Sequence, residues 1–87
     1  MRITNKDLEA LCDRLNEITG NPAKPYVDRK AQIGNFNISG AYGGVCLHQI
    51  MNEGGGVRCP LDNYHAPKRE LYQKMQAFIS GLEWEQR

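Results

Sequence analysis

Cys46-X-His48 places a thiol and an imidazole two residues apart, and Cys59 and His65 follow across a glycine-rich turn. Side chains two apart share one face of a strand, so Cys46 and His48 point the same way if the segment is extended. Thiolate and imidazole are the donors that hold zinc tetrahedrally, and the chain therefore has the parts for such a site. Their spacing argues against it, because neither C-X2-C nor H-X3-H occurs. A Cys-His nucleophile drawn from the same residues needs a lowered thiol pKa, an orienting group and an oxyanion site, and no motif supplies these. The residues favour the plainer reading: Cys46 and Cys59 as small packing side chains, with no metal, cofactor or catalytic residue.

The elements that position these residues follow from the apolar pattern. Leu8, Leu11, Leu15 and Ile18 recur at helical spacing, Thr4 and Asp7 form a capping box, and Gly20 with Pro22 ends the helix. Its other face, with Lys6, Glu9, Asp13, Arg14 and Glu17, is a solvated one. Residues 21–30 carry Pro22, Pro25 and the charged Asp28-Arg29-Lys30, and read as an extended connection with a loop tip. Residues 31–38 alternate like a strand, with Ile33 out of phase and a bulge expected at Gly34-Asn35. Residues 45–51 are apolar at both parities, as a central strand would be. The glycines at 54, 55 and 56 then turn the chain into a short strand over 57–61, an edge because Pro60 cannot donate to a ladder. A last helix starts near Pro67 and carries Leu71, Tyr72, Met75, Phe78, Ile79 and Leu82. Gly81 is a candidate end for it, and the path of Trp84 is open.

The expected fold is therefore α+β, an α-β-β-β-α two-layer sandwich in which residues 1–87 form one domain and two helices cover one face of a three-stranded antiparallel sheet. A chain of 87 residues has room for one modest core. Three cysteines, an odd number at irregular spacing, suit reduced thiols better than a disulfide framework. Eleven basic against ten acidic residues leave a net charge of +1, far from the excess of a typical nucleic-acid-binding domain. No apolar run nears the ~20 residues of a membrane span, and residues 1–20 lack a signal-peptide pattern, so the expectation is a soluble intracellular protein without a membrane partner.

The element order resembles the double-stranded RNA-binding fold, in which a β-turn and the basic start of the last helix grip phosphates. His65-Ala66-Pro67-Lys68-Arg69 is the segment that matches, at a helix start that favours anions. The slightly acidic first helix and the absence of a longer lysine run in the last one depart from that pattern. A second resemblance covers nearly the whole chain. The strings Ile3-Thr4, Leu15-Asn16, Thr19-Gly20-Asn21-Pro22, Gly34-Asn35-Phe36, Ala41-Tyr42-Gly43-Gly44, Asn52-Glu53-Gly54-Gly55-Gly56-Val57 and Lys68-Arg69-Glu70-Leu71-Tyr72 are similar to small proteins of tailed phages and prophages. That resemblance implies an accessory phage protein acting in the bacterial host cytoplasm, and implies no catalytic residue or cofactor.

Together these readings lead to the expectation of a non-enzymatic binding module for a host or phage protein, with nucleic acid as the alternative partner. The candidate contact residues are Tyr42, the Gly54, Gly55 and Gly56 turn, Tyr64, His65, Lys68 and Arg69. Tyr42 and Tyr64 read slightly better as lids over the core than as contacts. The glycine-rich turn lacks the Lys-Ser/Thr ending of a phosphate-binding loop and reads as a hairpin turn. The edge strand and an open sheet face are candidate routes to self-association.

Overall fold

The computed structural model describes residues 2–62 and 64–85. The first helix, α1, spans Asn5–Thr19 and carries the expected capping box: Asp7 N–H donates to Thr4 Oγ1 at 3.3 Å, and Thr4 N–H donates to the Asp7 carboxylate at 2.8 Å. Gly20 stops it with φ at +71°, and Asn21 N–H returns to the Asn16 carbonyl at 2.9 Å, the backward bond of a Schellman end.

The expected extended connection instead contains a small hairpin. Tyr26–Val27 (β1) pairs with Lys30–Ala31 (β2) around Asp28 and Arg29, both at positive φ. The strand expected over 31–38 is likewise two pieces. It breaks at Gly34, where φ is +96° and an added Cβ would collide with the Asn21 side chain, so the predicted bulge is a full turn between two sheets.

The main sheet is the expected antiparallel meander, with Phe36–Ala41 (β3), Gly44–Ile50 (β4) and Val57–Arg58 (β5) in the order β3-β4-β5. Its central strand is β4. The edge strand β5 is shorter than expected, ending before Cys59. The last helix, α2, spans Lys68–Glu85, running through Gly81 and taking in Trp84, which is 73% exposed. Both helices bury their stripes on one sheet face, where Leu8, Leu15, Leu71, Met75 and Ile79 surround Phe36, Val45 and Leu47.

One polar contact fixes how α1 meets this sheet. Asn16, 2% exposed, donates from Nδ2 to the Phe36 carbonyl at 3.0 Å and accepts the Phe36 N–H at 2.7 Å. A side-chain amide thus supplies both bonds that another strand would give, and this part of the sheet edge is closed by the helix. We expect Asn16→Ala, which orphans two buried main-chain groups at ~1–3 kcal/mol each, to lower stability by about 2–6 kcal/mol in chemical denaturation. A loss under about 1 kcal/mol would contradict this role.

Candidate functional site

The site is built on a detour off one edge of β4. That edge pairs first with β5, through Gln49 opposite Arg58, and the chain then leaves it. It returns at Ala66, whose N–H and C=O both bond to Val45 at 2.8 Å. The return requires a glycine at 44, because an added Cβ would lie 2.8 Å from the His65 carbonyl oxygen and 2.9 Å from that of Ala66. Helix α2 holds the detour from below. Lys74 Nζ donates to both Asp62 carboxylate oxygens at 2.9 Å and lies 5.6 Å from the Tyr64 ring centroid, while Tyr64 Oη donates to Glu70 at 2.8 Å. The bonds to Asp62 keep the Lys74 ammonium above its ordinary pKa, so the anchor stays charged.

This path brings Cys59 to the sheet face opposite the helices, where Cys46 and His48 lie. Residues of β4 alternate: Val45 and Leu47 join the helix-side core, and Cys46 and His48 take the other parity. The ligand atoms of Cys46, His48 and Cys59 all lie within 4.8 Å of one another. His65, at the end of the detour, has its ring centroid 6.3 Å from that of His48, and its Nε2 is 3.3 Å from Ser39 Oγ. Ser39 is the residue directly opposite Cys46 in the β3–β4 register. Cys46 is 1% exposed, its thiol donating to the Asp62 carbonyl at 3.3 Å, so this stretch of the expected open sheet face is covered. Burial first, and then the Cys59 thiol, push the Cys46 thiol up to about 11. Burial and the charge of His65 lower His48. Cys46 is thus fully packed, and the half-buried Cys59 lies beside it in a convergent group of donors.

The other predicted contacts do not form one patch. Tyr42 is 98% exposed, which corrects the lid reading: it sits at the tip of the two-residue β3–β4 turn with Gly43, at φ +53° and +75°, and its ring meets His65 edge-on at 5.9 Å. Gly54, Gly55 and Gly56 lie at the other end of β4, roughly 20 Å away for a strand of seven residues. The Gly56 N–H already donates to Asn52 Oδ1 at 2.9 Å, and an added Cβ at Gly55 would meet Tyr26 Oη at 2.9 Å, so hairpin turn is the reading that fits. Tyr64, 49% exposed, is no core lid either and is engaged by α2. Lys68 and Arg69 are exposed in the first turn of α2, with Glu70 beside them.

A separate cleft of about 240 Å³ lies between α1 and β3, lined by Glu9, Cys12, Asp13, Asn16, Pro25 and Phe36 among others. Burial, Asp13 and Glu9 raise its Cys12 thiol to about 12, which keeps it neutral and a poor nucleophile. No family model, curated protein or solved structure matches this chain.

The three thiols should therefore differ in labelling rate. With chelator present at pH 8, iodoacetamide followed by peptide mass spectrometry is expected to modify Cys59 first, ahead of the buried Cys46 and Cys12. Burial raises both the Cys46 and the Cys12 thiol well above the ordinary value, which leaves each with little thiolate at this pH. Labelling of Cys46 should rise about tenfold per pH unit between pH 7 and 9, since ionisation is far from complete there. Cys46 labelling as fast as Cys59 would contradict its burial.

Proposed function

We propose that this protein is a non-catalytic binding module of a tailed phage or prophage, and that it docks a host or phage protein through the Tyr42 hairpin tip. The observation that carries this reading is the identity of the residue at a position whose backbone disfavours it. Residues 42 and 43 both have positive φ, the geometry of a type I′ turn, for which Asn-Gly is the preferred pair. A non-glycine side chain in the left-handed region costs about 1–2 kcal/mol, and a large aromatic gains little of that back when it is almost wholly in solvent.

A strained, solvated tyrosine makes physical sense where its ring is buried by a partner. Tyrosine suits that role because it brings a large rigid contact area at small entropic cost, with a hydroxyl to satisfy. The turn is short and anchored on β3 and β4, so the ring is presented from a rigid base, with His65 against its edge. The net charge of +1 favours a protein partner over a nucleic acid, whose binding rests on phosphate neutralisation.

Tyr42→Asn separates the two roles of this residue. We expect it to raise stability by about 0.5–1 kcal/mol in chemical denaturation, because Asn tolerates the turn geometry. The same substitution should weaken, by about tenfold or more, stoichiometric capture of a protein by the tagged chain from nuclease-treated infected lysate. Capture that persists unchanged in Tyr42→Asn, or that nuclease abolishes, would overturn the reading.

A further inference from the structure

We propose that Cys46, His48 and Cys59 bind a thiophilic divalent cation of the zinc class, with His65 placed to supply the fourth ligand. Four observations converge on it. The three ligand atoms already lie within 4.8 Å of one another. Tetrahedral coordination at Zn–S ~2.3 Å and Zn–N ~2.0 Å needs ligand atoms about 3.3–3.8 Å apart, so closing these three asks for adjustments of about 1 Å, whereas His65 lies outside the group, its ring centroid 6.3 Å from that of His48, and has to turn inward to complete the set.

The donors come from elements that are held independently of any ion. Cys46 and His48 share one face of the central strand, and Cys59 and His65 sit at the two ends of a detour whose return is fixed by the paired Val45–Ala66 bonds. Lys74 fastens the middle of that detour through Asp62. An ion here would cross-link the detour to the sheet it leaves, a stabilising role in a domain of 87 residues with a single small core.

The charges also balance. As each sulfur–metal bond forms, its thiol releases a proton to solvent, and two thiolates neutralise a divalent ion, leaving the imidazoles neutral. Ser39, which is 3.3 Å from His65 Nε2, is then a neighbour able to orient the fourth ligand by hydrogen bonding to the ring or by releasing it. Two sulfurs and two imidazoles select zinc over the oxygen-seeking cations magnesium and calcium.

Cobalt substitution in the full chain tests this. Protein reduced with a phosphine, stripped with chelator and titrated with Co²⁺ should develop the visible absorption of a tetrahedral site together with thiolate charge transfer. Both should saturate at one equivalent and vanish on adding Zn²⁺. Cys59→Ser, at a half-buried position, should lose at least half of the charge-transfer intensity, one of two sulfur–metal bonds being gone, while its circular dichroism stays that of the parent. Cys46→Ser should lose a similar share, and Cys12→Ser should keep the full spectrum, since Cys12 lies in the separate cleft. His65→Ala should keep the charge transfer but shift the visible bands as water replaces a nitrogen. Only the weak spectrum of hydrated cobalt in the parent, or an unchanged spectrum in Cys59→Ser, would overturn the site. An unchanged spectrum in His65→Ala would overturn the fourth ligand.

Discussion

The structure turns on the double use of one edge of β4. Near its end this strand pairs with β5 through Gln49 and Ile50, and near its start with Ala66 through Val45. Between these two anchors the chain takes the detour that carries Cys59, Tyr64 and His65. The anchors are main-chain bonds, so the detour's ends are set by the sheet rather than by the side chains it bears. Everything on the far face follows from that constraint: the burial of Cys46, the approach of Cys59, and the contact of His65 with both His48 and Tyr42. The glycine at 44 is what allows the second anchor to form at all.

The two faces of the sheet do different work. One packs against α1 and α2 and supplies the apolar core, with Asn16 fastening α1 to the open side of β3. The other carries Ser39, Cys46 and His48, with the buried Ile50 at the end of β4. Such a division lets the helix side carry stability while the far side is free to carry binding. Tyr42 extends the second face beyond the sheet, since the hairpin tip projects it next to His65. The proposed protein contact and the proposed cation site therefore meet at one residue, and a cation that draws His65 inward would also move the one ring beside the solvent-exposed Tyr42 among the described residues.

Much of this was legible in the sequence where signals are local. The capping box of Thr4 and Asp7, the stop at Gly20 and the two-sided apolar character of 45–51 each report a single element, and α1 and β4 lie where those signals put them. The hairpin around Asp28-Arg29 was not legible, because Arg29 is not a usual occupant of positive φ, although Asp28 tolerates it, and the strands are two residues long. Gly81 ended no helix because its neighbours Phe78, Ile79 and Leu82 keep packing on the core. The donor types of Cys46, His48, Cys59 and His65 were legible, but their spacing argued against a cluster for a related reason. Its members are joined by strand pairing across the turn at 52–56 and by one isolated bridge, and a single bridged residue leaves no period to read. Tyr42 misled because aromatic residues are commonly core, whereas its place in a two-residue turn left no core within reach.

Native-state hydrogen exchange at the Ala66 and Val45 amides, in metal-free protein, tests the central constraint directly. If both ends of the detour are anchored on β4, these two amides should be protected as strongly as those of the β3–β4 ladder, because each is bonded at 2.8 Å to the other's carbonyl. Exchange of Ala66 at the rate of an open loop would mean that the chain does not return to β4, and the grouping of Cys46, His48, Cys59 and His65 would lose its physical basis.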